Sequence, residues 1–132
     1  MILLLTQYVL GVAYNLYGTA PTATKTIKPF SSPLLGAHVV LGTLLIVIAI
    51  YLVLASIRAG IRIAAVASII GLASLIAAWI TGSAFTQHGA SGYSMAMGVL
   101  TAVTLLCYTV DVKASAAAGN RAARHNAPQK QR

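Results

Sequence analysis

Residues 34–58, LLGAHVVLGTLLIVIAIYLVLASIR, carry no charge before the final arginine. As a helix, such a run exceeds the ~20 residues that cross a hydrocarbon core of ~30 Å. The rest of the chain cannot shield it from water. Only 8% of the 132 residues are charged and 58% are hydrophobic, whereas an ordinary soluble domain is about 25% charged. The solvent for most of this chain is therefore lipid.

Four apolar runs, approximately 1–18, 34–57, 61–82 and 92–112, predict an all-α, polytopic bundle of four transmembrane helices over residues 1–112. The first run is short and holds Gln7 and Asn15. It has no Lys or Arg in the position of a signal-peptide n-region, and its polar residues interrupt the apolar stretch, so it reads as a retained span. Residues 19–33 are rich in Thr, Ser and Pro and read as a loop, with Pro33 suited to the first turn of the next helix. The RAGIR segment, 58–62, is a tight basic turn, and 83–91 reads as a short polar loop. Residues 113–132 form a polar basic tail, expected to be disordered.

The charges give a direction. Arg58, Arg62, Lys113, Arg121, Arg124, Lys130 and Arg132 fall on one side of this topology, and only Lys25 and Lys28 on the other. The excess of basic residues on cytoplasmic connections places both termini in the cytoplasm, in the plasma membrane. Tyr14, Tyr17, Trp79, Phe85 and Tyr93 then gather at the outer interface, where aromatic rings are favoured. The basic tail suits anionic lipid. It has no aromatic residue to stack on bases, so no specific nucleic-acid partner is expected.

In lipid, small and polar residues mark the inward faces, because they allow close backbone approach and interhelical hydrogen bonds. Helix one offers Gln7, Gly11, Asn15 and Gly18. Helix two offers His38, Gly42, Ala49 and Ser56. Helix three carries a stripe of Ala64, Ala67, Gly71, Ser74, Ala78 and Gly82, and helix four carries Ser94, Gly98 and Thr101. A faint repeat pairs GAHVVLGTLL with GYSMAMGVLT, matching Gly36 to Gly92, Gly42 to Gly98 and His38 to Ser94; two hairpins related by duplication would produce it. It places His38 against helix four, near Ser94 and Gly98.

His38 and His88 both belong to the outer side of this topology. Two imidazoles from different segments suit axial ligation of a b-type haem. Gly42, one turn deeper than His38, would leave room for the macrocycle. Lys25 and Lys28 would meet the propionates, and Met95 is a substitute axial ligand. The structural alternative is that His38 hydrogen-bonds a neighbouring helix. The segments LLGAHVVLGTLL and GSAFTQHGASGYSMAMG, together with YNLYG, resemble small four-helix membrane proteins of unassigned function from actinobacteria and similar prokaryotes, over about residues 1–112. A weaker resemblance is to the four-helix halves of haem A synthase and related b-type cytochromes. It maps His38 alone as a haem ligand, and this chain lacks the acid those enzymes keep near theirs.

The single acid, Asp111, reads as a charge pair with Lys113 at the inner helix end, which leaves no carboxylate inside any span. The lone Cys107 reads as a small buried hydrophobe. No set of nucleophile, base and acid assembles, and no phosphate-binding loop precedes a helix, so enzymatic activity is not expected. The expected role is a non-enzymatic accessory or assembly subunit of a membrane complex, partnered by other membrane subunits or by copies of itself. The alternatives are an electron-transfer protein using haem at His38, and an oligomeric pore or transporter lined by Gln7 and Asn15.

The topology is checked by cysteine labelling in a Cys107→Ser background. An impermeant reagent applied to intact cells should label Thr24→Cys and leave Ala118→Cys unreacted; the opposite pattern would invert the bundle.

Overall fold

The computed structural model describes residues 1–17, 28, 30–89 and 91–125. Four helices follow in order: α1 (Ile2–Tyr17), α2 (Pro33–Arg58), α3 (Arg62–His88) and α4 (Ser91–His125). Three of them, α2, α3 and α4, are long and apolar enough to cross a membrane. With 16 residues, α1 rises about 24 Å, short of the ~30 Å core.

Local chemistry sets the helix ends. The Ser32 side chain caps α2 by accepting a hydrogen bond from the Leu35 amide at 3.2 Å, and Pro33 takes the first turn, where an N–H has no helical partner. After Arg58 the chain turns through Gly60, whose φ of 68° is open to glycine at no steric cost. Gly89, also at φ 68°, ends α3 and donates its amide hydrogen bond to the Phe85 carbonyl.

Two boundaries differ from the sequence expectation. The polar segment after residue 82 continues α3 to His88, with the Ser83 and Thr86 hydroxyls donating within the helix to the carbonyls of Trp79 and Ser83. Most of the expected 83–91 loop is thus helix. Beyond residue 112, α4 runs on to His125 through ASAAAGNRAAR, in which the many alanines and two arginines favour helix. The expected disordered tail is helical as far as His125, and residues 126–132 lie outside the described residues.

Each helix packs chiefly on its neighbours in sequence, α3 on α4 most extensively, while the seam between α1 and α4 is thin. All four contribute to one core, made of Leu4, Leu45, Ala49, Leu75 and Tyr108. Large apolar side chains such as Val47, Tyr51, Ile63, Val66, Val99 and Leu106 face outward on the long helices. Helices apolar all round need lipid or protein around them.

The small-residue stripe of α3 lies where the sequence put it: Ala64, Ala67, Gly71, Ser74 and Ala78 are buried. Gly71 lets α4 approach, since a Cβ there would come within 3.1 Å of the Tyr108 ring and 3.3 Å of the Cys107 Cβ. Gly98 does not serve this purpose: a Cβ at Gly98 meets nothing within 4 Å, whereas one at its repeat counterpart Gly42 would collide with Gln7 at 2.9 Å. The two halves of the faint repeat therefore pack differently. Of the expected outer aromatics, Trp79 and Tyr17 are exposed, while Tyr14 is buried.

Substituting Gly71→Leu should destabilise the bundle by about 1–3 kcal/mol through overpacking. Gly98→Ala should be neutral or stabilising by up to about 1 kcal/mol, from helix propensity alone. Reversible unfolding in detergent micelles measures both.

Candidate functional site

Asp111 is the feature that the sequence reading misplaced. Its side chain is buried, 5% exposed, on the inward face of α4. The Ser68 hydroxyl of α3 donates to its Oδ2 at 3.0 Å. Ser56 of α2 and Ser115 of α4 approach Oδ1 at 3.4 Å. Ser56 and Ser68 also lie 3.4 Å from each other. Each serine has a single proton, so the Ser56 proton is shared between Asp111 and Ser68. The well-formed bond is the one from Ser68, and Oδ1 is the less satisfied oxygen.

The expected pair between Asp111 and Lys113 is not formed. Residues two apart on a helix point to different sides, and Lys113 is exposed while Asp111 is buried. The carboxylate sits about 30 Å along α4 from Ser91, and Ser68 about 9 Å along α3 from Arg62. It is thus an acid within the bundle near the end that carries Arg58, Arg62 and Lys113. A signal for it existed. The face Ser94, Gly98, Thr101, continued in helical steps, reaches Thr104, Tyr108, Asp111 and Ser115, of which Thr104 is fully buried. Ser68 lies beside the α3 stripe, between Ala67 and Gly71, and is buried with them.

The second polar centre joins α1 to α2. His38 Nε2 and Gln7 Nε2 are 3.2 Å apart. With the Gln7 amide donating, the imidazole is the Nδ1–H tautomer. His38 Nδ1 and Gln7 Oε1 are buried and make no hydrogen bond among the described residues. Gly11 provides the clearance, since a Cβ there would come within 3.0 Å of the imidazole Cε1. The interhelical role expected for His38 is present, but the partner helix is α1 and not α4. Asn15 departs from the expected inward face and is exposed. Positions 7 and 15 differ by about 80° around a helix, and Tyr14 takes the inner place beside it. Gly18 lies outside the described residues. Gln7, Gly11, Gly71, Ser74 and Ala78 all have packing or bonding roles.

The residues proposed for haem do not fit one. The space beside Gly42 is filled by the Gln7 side chain, and the His38 ring rests on Gln7 and Gly11. No flat macrocycle can enter there without displacing α1. His88 is exposed at the end of α3, with its ring centroid 6.1 Å from that of Tyr93. Met95 is 74% exposed on the outside of α4. Lys28 is exposed, and Lys25 lies outside the described residues. Among the described residues no three His, Cys, Asp or Glu side chains come together as a metal site would need. Cys107 is half-buried on α4.

Comparison with known proteins returns no matching family model, curated protein or solved structure.

Ser68→Ala should cost about 1–3 kcal/mol of stability, because it leaves a buried acceptor without its best donor. Ser115→Ala, at an exposed position and 3.4 Å from the carboxylate, should cost under about 0.5 kcal/mol. Equal losses for the two variants, measured by unfolding in micelles, would contradict the ranking of these bonds.

Proposed function

We propose that the chain is a non-enzymatic integral membrane protein of the plasma membrane, serving as an accessory or assembly subunit of a larger complex. In this reading all four helices lie in the membrane, with both termini in the cytoplasm. The carrying observation is the inner end of α4. From about residue 117 to His125 the helix extends about 12 Å past the start of α3, and Gly119, Asn120, Arg121 and Arg124 along it are exposed. A short alanine-rich helix standing alone in water is marginal. Continuity with a membrane helix holds this one in place, and it ends as a rigid basic arm suited to an acidic protein surface or to anionic headgroups.

The rest of the molecule supports the same role. Asp111 is engaged by serines from three helices, and Gln7 engages His38. Gln7 is committed to that contact and Asn15 points outward, so neither helps to line a pore within one copy of the chain. The long helices keep apolar outer faces that can seat neighbouring helices.

Deleting residues 116–132 tests the proposal. The bundle should keep its unfolding midpoint, while the full-length chain, extracted gently from native membranes, should migrate in a complex with a second polypeptide that the truncated chain no longer holds. Extraction of the full-length chain free of other polypeptides, or an unchanged complex after truncation, would refute it.

A further inference from the structure

A groove of about 490 Å³ runs between α3 and α4 on the outer surface of the bundle. Its floor is Ala67, which is buried, and Cys107, which is half-buried. Its walls are Ile63, Val66 and Ile70 of α3 and Leu106 and Val110 of α4, all of them exposed. Arg62, the first residue of α3, completes the lining. The groove is therefore apolar with one charged end. From Arg62 to Ile70 it is about 12 Å long. Half of a ~30 Å hydrocarbon core is ~15 Å. The groove thus starts at the basic end of the bundle and spans close to one leaflet. Just past Ile70, Gly71 brings the two helices together.

We infer that this groove binds an anionic phospholipid, with one acyl chain between α3 and α4 and the headgroup phosphate held by Arg62 and Lys113. Lys113 belongs to the site by helical spacing. Leu106, Val110 and Lys113 follow at steps of four and three, one face of α4. Ser68 meets Asp111 at 3.0 Å, and Gly71 lies against Cys107, so α3 and α4 run antiparallel. Lys113 is then level with Val66, about 6 Å along the axis from Arg62. A lysine stem can lie along an apolar wall while its ammonium reaches the interface. Charge selects the headgroup. The chain's single acidic side chain, Asp111, is buried and met by serines. Arg62 and Lys113 are exposed, and this chain has no other acidic side chain to pair with them. At a membrane surface a lipid phosphate supplies the anion, through charge-assisted hydrogen bonds. A zwitterionic headgroup brings a cation of its own that competes with theirs, and an anionic one does not. Length selects lipid over protein. A spanning helix from a neighbour needs ~20 residues and ~30 Å of contact, and the groove ends after about 12 Å.

The site requires α3 and α4 to lie in a bilayer and is otherwise independent of the accessory role proposed above. The test reconstitutes the full chain in phosphatidylcholine vesicles. Leu106→Trp in a Trp79→Phe background puts the chain's one indole on the groove wall. Brominated acyl chains quench tryptophan on contact. Brominated phosphatidylglycerol should reach half-maximal quenching at a mole fraction about fivefold or more below that of brominated phosphatidylcholine, the preference that one basic residue near an anionic headgroup supplies. The chain with its native Trp79, about 25 Å along α3 from Arg62, should be quenched by both lipids without that preference. In the Leu106→Trp chain, Arg62→Gln combined with Lys113→Gln should abolish the preference, and Arg58→Gln, outside the groove, should retain it. Val66→Phe narrows the groove, leaves both charges in place and should reduce the preference. The proposal is overturned by an equal preference at Trp79, by a preference that survives loss of both cations, or by one unchanged in Val66→Phe. It is also overturned if neither lipid quenches Leu106→Trp, the result a neighbouring helix seated in the groove would give. Were Trp79 unquenched as well, the membrane placement of α3 would fail together with the site.

Discussion

A carboxylate inside an apolar bundle must be met by hydrogen bonds, and meeting Asp111 fixes how three helices sit. Ser56, Ser68 and Asp111 come from α2, α3 and α4, and they can converge only at one rotation and one height of each helix. Lipid makes this requirement stricter than water would. Between apolar helices in a bilayer there is little hydrophobic drive, so packing of small residues and polar contacts decide the arrangement. Gly71 and the alanines of α3 bring α3 and α4 close. The Asp111 cluster sets their register. Removing the side chain's best donor threatens more than one bond, because a buried acceptor would be left without its support.

Much of this was legible in the sequence where periodicity and size carry the signal. The α3 stripe from Ala64 to Ala78 reads directly as a contact face, since small side chains in lipid have few other uses. Pro33 marks the start of α2, and the RAGIR turn marks its end. Legibility failed where a residue's role depends on a partner far away in sequence. Asp111 next to Lys113 suggests a charge pair when read along the chain, yet the helix turns them apart, and the true partners are 43 and 55 residues distant. His38 makes an interhelical contact, one of the two roles its sequence position leaves open, but with Gln7 of α1. Its partner was misjudged because the faint repeat set it opposite Ser94, while the bulk of Gln7 and the clearance at Gly11 decide the matter. The polar character of TQH and of the C-terminal segment hid helix, which in the latter the alanines favour.

The two polar centres divide the work along the bundle axis. The contact between His38 and Gln7 lies near the N-terminal end of α2, and the Asp111 cluster near its C-terminal end. Between them is the apolar core of Leu45, Ala49, Leu75 and Tyr108. The first centre holds the short helix α1 to α2, at a point where Gly11 and Gly42 let both side chains lie between the backbones. The second holds α2 to the hairpin of α3 and α4. Neither centre joins α1 to α4.

That omission leaves the seam between α1 and α4 thin. A four-helix bundle closes by packing its first helix on its last, and here Leu4 is the α1 residue of the shared core, while α1 and α4 otherwise touch lightly. The cavity at this seam is bounded on the α4 side by Tyr108 and Asp111, the same carboxylate that orders the other three helices. Its Oδ2 faces the structural bond from Ser68, and its Oδ1 has only long contacts. Both oxygens thus serve the fold, Oδ2 through the bond from Ser68 of α3 and Oδ1 through the longer contact from Ser56 of α2.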